Sequence, residues 1–497
     1  MAAFILLITA EASAQFGKNK VQYQTFDWKY IESDHFKVYF DANSYYLARF
    51  AAIEAEKALL EITSLLNFKV DQQIPFVVYD SHNQFQQTNV TWSFMPEGVG
   101  GFTELFKNRI VVPFEGDWEK FRHVIHHELV HGYINQMFYG GSFQTMMRSG
   151  QRIQFPLWMN EGLAEFSSQF GFDTQTDMFM RDVTLSENLK GLDYLNGYFA
   201  YRGGQAFYWY VGDKYGEEKV GDLIYNLRIM RTVDKAFLRT FGVDYEEFSE
   251  KWVRDLKKYY LPDIEKFEDP NDFAERITEA EEDRTFYNTS PAVSPDGEKL
   301  AYISAPEGNF GIYIMKLTKQ GKEEDPRNIV ESARQQDFED LNILTPGISW
   351  NPQGTKLAVS AKAGGEDAIF IIDVETEDYE RIEFGMNQIS SVTWSPDGNY
   401  LAFSGSTNQQ SDIYIYDIKF KSLKNLTDDV FSDVIPVWAT DSRSVYFISD
   451  RGDNIDGDYS NEDIKIWNYN FTQRDIFAVD LSSREITRLT FDPDFHE

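Results

Sequence analysis

The sequence predicts two unlike folds in series: an α+β domain, then an all-β domain made of repeated units. Three observations carry this. Up to about residue 260, strand-like alternation is mixed with helical periods; residues 263–285 are strongly acidic with little apolar pattern; and beyond them the chain repeats itself. At 497 residues the chain is also too long for one ordinary core.

Composition narrows the function. An apolar fraction of 42%, with 16% aromatic residues, excludes a largely disordered chain. Asp and Glu number 80 against 47 Lys and Arg, for a formal charge of −33, so the surface repels phosphate backbones and nucleic acid is not an expected partner. There are no cysteines, which excludes disulfides, thiolate zinc sites and cysteine catalysis. Any transition metal must be held by histidine and carboxylate side chains.

Residues 1–14 read as an export leader. The apolar run "AAFILLITA" is too short to span a bilayer, and Ala12-Ser13-Ala14 is a small-residue cleavage pattern that puts the mature start near Gln15, although the usual basic start is missing. Export without cysteines suits a bacterial envelope, in the periplasm or at the outer membrane.

Residues 15–262 form the expected α+β domain. "HFKVYF" (35–40) and "IPFVVYD" (74–80) read as strands either side of the helix "YYLARFAAIEAEKALLEITSLL". Residues 98–114, "GVGGFTELFKNRIVVPF", read as a glycine-started hairpin. A helical period runs from Asp117 to about Tyr139 and closes at Gly140-Gly141, with further helices ending at "KWVRDLKKYYLPDI". Residues 263–285 are the expected linker.

Residues 286–497 contain four segments that align without gaps: "AVSPDGEKLAYIS", "SWNPQGTKLAVSA", "TWSPDGNYLAFSG" and "VWATDSRSVYFIS". Each is followed by a second alternating strand, "GIYIMKL", "AIFIIDV", "DIYIYDI" or "DIFAVDL". A turn of this kind recurring roughly every 44 residues is the signature of β-propeller blades. At least four blades are expected. After the last strand, "EITRLTF", the chain gives only "DPDFHE", so the ring is expected to be incomplete, with more chain or a partner at its open edge. The acidic run of residues 449–463 inside the fourth unit fails the EF-hand spacing and reads as a solvated loop.

Four of the 7 histidines lie in "FRHVIHHELVHGYINQMF". His127 and His131 are four apart and share a helix face, and Glu128 stands beside them. In this H-E-x-x-H arrangement two imidazoles converge on one zinc and the carboxylate works on its water. His123 shares the face, but residues spaced by four climb ~6 Å per step while zinc–nitrogen bonds are ~2 Å, so all three cannot bind one ion. His123 is expected to pack or to line the substrate side, and His126 to face a neighbouring helix. A third ligand must come from another element. "FPLWMNEGLAEFSSQF" offers Glu161 and Glu165 on one helix face.

That segment resembles the N-E-G-x-x-E of the gluzincins, the thermolysin and aminopeptidase type of zinc peptidase. The wider similarity, to the peptidase MA-like group, covers roughly residues 25–260. The resemblance implies a Zn2+ site with His127, His131 and Glu161 as ligands, Glu128 as the base, and Glu165 hydrogen-bonded behind His127. Tyr201 and Gly204 are similar to the Tyr-x-x-Gly of aminopeptidase-type gluzincins, whose tyrosine donates to the oxyanion. Taken alone, the residues fit an aromatic core helix equally well, and Tyr198 competes for the role. Gly100, Gly101 and Phe102 are expected on an edge strand that pairs with an extended substrate. This stretch is not the G-A-M-E-N of the aminopeptidases, which favours an endopeptidase. The repeats resemble TolB-type propellers, relatives of the WD type, and imply a protein- or peptide-binding role.

The expectation is therefore an exported zinc metallopeptidase acting on peptides or proteins. Its propeller would bind a protein partner, in association with the outer membrane or an envelope complex. The alternative is a non-catalytic envelope scaffold or assembly factor with a vestigial peptidase domain.

Overall fold

The computed structural model describes residues 21–491 apart from 94, 141–154, 265, 269, 279–284, 286, 319–320, 323–324, 333–336, 345–346, 408 and 458. The leader thus lies outside the described residues.

Alternation in the N-terminal half builds one five-stranded sheet. Its strands are β1 (Trp28–Glu32), β2 (Phe36–Asp41), β3 (Ile74–Tyr79), β4 (Phe102–Glu104) and β5 (Arg109–Pro113). The order is β1-β2-β3-β5-β4, so β1 and β4 are its edges. β2, β3 and β5 run parallel, while β1 and β4 are antiparallel to their neighbours. In β2, Phe36, Val38 and Phe40 are buried and alternate with half-buried positions. They face α1 (Tyr45–Leu66), which follows β2 and contributes Leu47, Phe50, Ala51, Ala55 and Ile62 to the same core.

The short α2 (His82–Phe85) follows β3, and α3 (Trp118–Tyr139) follows β5. Asp117 caps α3 by accepting from Lys120 N at 2.9 Å, and Gly140 closes it in the left-handed conformation. Among the described residues six helices follow: α4 (Leu157–Ser168), α5 (Thr174–Leu185), α6 (Tyr198–Tyr215), α7 (Glu218–Met230), α8 (Val233–Phe241) and α9 (Tyr245–Ile264). No helix among the described residues is long and apolar enough to cross a membrane.

The acidic stretch after α9 is not a bare tether. It holds the four-residue α10 (Pro270–Phe273), and Ile277 packs on Leu300, Tyr302, Tyr313 and Met315 of the first blade. Burial of one isoleucine in a charged run has no periodic signature in sequence.

Four antiparallel sheets follow in series. The first has β6 (Asn288–Val293), β7 (Lys299–Ser304), β8 (Gly311–Thr318), β9 (Gly321–Lys322) and β10 (Arg327–Glu331). The second has β11 (Asp340–Leu341), β12 (Ile348–Trp350), β13 (Lys356–Ala363), β14 (Glu366–Asp373) and β15 (Tyr379–Glu383). The third has β16 (Gln388–Trp394), β17 (Tyr400–Thr407), β18 (Gln410–Asp417) and β19 (Ser422–Asn425). The fourth has β20 (Val434–Trp438), β21 (Ser444–Ser449), β22 (Asp475–Asp480) and β23 (Ile486–Arg488).

The repeated turn explains the repeated sequence. Ser294 Oγ donates to Asp296 Oδ1 at 2.6 Å and accepts from Lys299 N at 2.9 Å, and Ser395 does the same with Asp397 and Tyr400. Apolar layers separate successive blades: Ile303 and Ile312 meet Val359 and Phe370, Ile369 meets Leu401, and Ile413 meets Phe447 and Phe477. Among the described propeller strands every ladder runs within one blade, and none of the apolar layers joins the fourth blade to the first, as expected of an incomplete ring. Tyr446 of the fourth blade, 39% exposed, holds the place where Ala402 of the third is 0% exposed beneath its neighbour.

The two halves are docked closely. Trp118, at the start of α3, donates through Nε1 to Val430 O at 3.1 Å and through N to Ser432 Oγ at 3.2 Å. Arg474 pairs with Asp117 and, at 3.2 Å, with Glu119. The insertion between β21 and β22 is not simply solvated. Asp450 and Arg451 at its start are buried, and beyond the acidic run Ile466 and Phe471 join the core of the N-terminal domain. Tyr46 of α1 ties this strap down, donating to Ile464 O and accepting from Ile466 N, both at 2.9 Å. An acidic run hid the apolar anchors at its C-terminal end.

Candidate metal centre

Helical spacing puts His127 and His131 on the same side of α3, and α4 brings Glu161 to them. His127 Nε2 and His131 Nε2 are 3.2 Å apart, and they lie 3.3 and 3.2 Å from Glu161 Oε2. Each is a possible ligand atom: an imidazole nitrogen once its proton is off, or a carboxylate oxygen. Ligands of a tetrahedral ion with bonds of ~2.0–2.1 Å are separated by ~3.3 Å, so this near-equilateral triangle fits one face of a zinc coordination shell. The donor set, two imidazoles and a carboxylate, suits zinc.

The local field favours positive charge. Burial opposes an imidazolium at His127, but hydrogen bonds to Glu161 and Glu165 and the nearby Glu128 outweigh it and hold the ring up to about 10. Burial likewise raises Glu161, yet His127 and His131 bring its carboxyl down to about 2. Glu165 Oε1 lies 3.0 Å from His127 Nδ1, on the side of the ring away from Glu161.

Glu128 is buried, with an oxygen within 4.8 Å of ring nitrogens of His127 and His131. Its Oε2 accepts from Thr103 Oγ1 at 2.7 Å, and Thr103 Oγ1 is also 2.8 Å from the Glu128 carbonyl. Thr103 sits in β4, so the edge strand touches the carboxylate beside the ligands. Gly101 permits this approach: a Cβ there would lie 3.0 Å from Glu128 Cγ and Val124 Cγ1. Gly100 and Phe102 flank it on the same lead-in to the sheet edge.

Tyr201 reaches the site from α6. Its ring stacks on His127 at 6.0 Å with an interplanar angle of 15°. Burial, then Glu161 and Glu128, raise its hydroxyl so that it stays an O–H donor. Gly204 sets its depth. A Cβ on Gly204 would fall 2.2 Å from Trp158 O, and one on Gly162 would fall 2.3 Å from the Gly204 backbone, so α4 and α6 cross glycine against glycine. Tyr198 turns away: it is 51% exposed, and its hydroxyl accepts from Arg202 Nε at 3.0 Å.

His123 is more than packing. Its Nε2 lies 3.6 Å from Glu165 Oε1, so two histidines share that carboxylate. His126 faces the other way, toward Ser167 Oγ at 2.8 Å and Glu61 at 3.5 Å. Two residues were missed in the sequence. Thr103 had no signal beyond its place after Gly100-Gly101. Arg202, 3.4 Å from Glu165 Oε2 and 3.6 Å from Asp173, is the lone cation in the first turns of an aromatic helix.

Known proteins agree with both halves. Residues 54–258 match the peptidase MA superfamily, and residues 332–456 match the TolB beta propeller domain. No curated protein matches the chain. Among solved structures, TolB from Acinetobacter baumannii is 20% identical, with a TM-score of 0.31 over 41% of this chain and 43% of that one. A putative TolB from Agrobacterium tumefaciens is 19% identical, with a TM-score of 0.31 over 40% of this chain and 64% of that one. The β-propeller domain of the Trilobed protease from Pyrococcus furiosus is 16% identical, with a TM-score of 0.27 over 41% of this chain and 57% of that one. The match therefore spans less than two thirds of either TolB structure. From N- to C-terminus, the chain carries a peptidase MA superfamily domain followed by a TolB beta propeller domain.

Proposed function

We propose that the protein is an exported zinc-dependent endopeptidase of the gluzincin type, acting in the bacterial periplasm or at the outer membrane. The observation that carries this reading is the triangle of His127 Nε2, His131 Nε2 and Glu161 Oε2, with sides of 3.2–3.3 Å and Glu128 beside it. A zinc ion held by these three residues supplies Lewis acidity toward a peptide carbonyl and acidifies water.

The chain's own groups do the rest. Glu128 takes the proton of the attacking water at a carboxylate oxygen and hands it to the leaving amine. Thr103 holds that carboxylate in place through Oγ1. Tyr201 donates its O–H to the developing oxyanion. Glu165, steadied by Arg202, fixes the His127 ring through Nδ1. The free edge of β4, with Gly100, Gly101 and Phe102 leading into it, pairs with an extended substrate backbone. The propeller supplies the surface for a protein partner.

Glu128→Gln tests the mechanism, because it removes a base and keeps the three ligands. Peptide cleavage is expected to drop by at least a factor of about 10³ while zinc content holds. Undiminished turnover in this variant would end the mechanism. Zinc-loaded wild-type protein that cleaves no peptide would instead favour a scaffold built on a vestigial peptidase domain.

A further inference from the structure

The strand beside the proposed cleft is not held by the peptidase domain alone. β4 pairs with β5 through Phe102↔Val111, Thr103↔Ile110 and Glu104↔Arg109, and no described strand pairs with its other side. Its lead-in contains Gly98, Gly100 and Gly101. Such a segment has little conformational preference of its own, so its position depends on what anchors its far end.

That anchor is Glu97, and it is held by the propeller. Glu97 Oε2 accepts from Ile343 N and, at 3.3 Å, from Leu344 N, both in the stretch between β11 and β12 of the second blade. Three blades fix that stretch. Thr289 Oγ1 of β6 donates to Ile343 O at 2.8 Å, and Asn342 Nδ2 donates to Ser360 Oγ of β13 at 3.1 Å and to Ile389 O of β16 at 3.0 Å. A parallel tie runs through Gln86, whose Nε2 donates to Met95 O at 2.8 Å and Asp340 Oδ2 at 3.2 Å, while its Oε1 accepts from Lys362 Nζ. The two ties end at Glu97 and Met95, one and three residues before Gly98.

At the near end, small displacements matter. Gly101 sits tightly against Val124 and Glu128, where a Cβ would meet side-chain carbons at 3.0 Å, and Thr103 bonds the Glu128 carboxylate at 2.7 Å. A carboxyl oxygen accepting two backbone N–H groups makes bonds of defined direction, which locate the loop more sharply than apolar packing would.

We propose that Glu97 is a positioning residue through which the second propeller blade sets the β4 edge against Glu128, so that the propeller is a working part of the cleft. The catalytic half of this statement rests on the peptidase reading above; the structural half stands without it.

The test uses the full chain with Glu97→Ala, Glu97→Gln and Asn83→Ala. Asn83 belongs to the same interface, donating to Asp367 Oδ1 at 2.7 Å and Asn387 O at 3.1 Å, but it does not touch the β4 lead-in. Amide hydrogen exchange over residues 98–104 is expected to quicken at least ~10-fold in Glu97→Ala and to stay near wild type in Glu97→Gln and Asn83→Ala. In Glu97→Ala, zinc content should hold, KM for an extended peptide should rise on the order of 10-fold, and kcat should change less than ~3-fold. Unchanged exchange in Glu97→Ala overturns the proposal whatever the activity. Equal quickening in Asn83→Ala also overturns it, since the interface would then be loosening as a whole. If the wild-type protein cleaves nothing, the peptidase reading fails separately and exchange alone decides the role of Glu97.

Discussion

Among the described residues, one fully buried and one part-buried cluster of chelating side chains solve the same electrostatic problem differently. In the propeller, Asp412, Asp429 and Asp433 bring carboxylate oxygens within 4.8 Å of one another. Between them lies Arg451, fully buried, whose Nη1 is 2.9 Å from Asp429 and whose Nη2 bonds Asp433. Asp412 is satisfied from elsewhere, by Gln410 and Asn425 at 3.0 Å and the Asp429 amide at 3.1 Å. In the peptidase domain, His127, His131 and Glu161 converge with no guanidinium or ammonium among them. The first cluster carries its cation on its own chain and is structural. The second brings two imidazoles and a carboxylate together at 3.2–3.3 Å, a donor set that could hold a metal ion.

Removing Arg451 should give the largest change in stability. Arg451→Met leaves two buried carboxylates without their counter-charge, and unfolding in urea is expected to show a loss of about 3–5 kcal/mol. Adding Asp429→Asn and Asp433→Asn should recover part of it, and zinc content should be unaffected throughout. A loss under about 1 kcal/mol would mean the cluster is neutralised in another way.

The peptidase cluster is expected to respond in rate. Tyr201→Phe should lower kcat by roughly 10²–10³, on the order of 3 kcal/mol, with a smaller change in KM. An unchanged kcat would return Tyr201 to a packing role on α6.

A smaller effect separates the clusters by pH. Burial pushes Asp80 and Asp412 up to about 6, and Glu97 and Asp450 up to about 7. Each binds its proton more tightly folded than unfolded, so it contributes stability at low pH that is lost as pH rises through its folded value. The melting midpoint should therefore fall by several degrees between about pH 5 and about pH 8. At the candidate metal centre Glu161 and Glu165 are shifted down and act below that window, while His127, held up to about 10, loses its contribution as pH rises toward that value, mostly above the window. A midpoint that rises with pH would show that these acids are solvated.

Local periods made much of this legible. The α3 helix, its Asp117 cap and Gly140 stop, the pairing of His127 with His131, and the blade turns at Ser294 and Ser395 all follow from spacing within a few residues. The Ser–Asp turn chemistry repeats because each blade needs the same bend. What was not legible depends on contacts between distant segments. Thr103 reaches Glu128 across 25 residues, and Tyr46 meets Ile464 across 418. No period in either partner announces the other. β1 was missed for a different reason: as an edge strand it is mostly exposed, so "WKYIE" lacks the alternation that marks β2. Arg202 and Glu97 likewise carry no local signal, because their partners lie on other helices and on the second blade.

The contrast between the clusters is tested most directly by metal analysis of purified full-length protein and two variants. The account predicts about one zinc per chain in the wild type, its loss in His131→Ala, and its full retention in Asp433→Asn. Zinc retained in His131→Ala, or lost in Asp433→Asn, would contradict it.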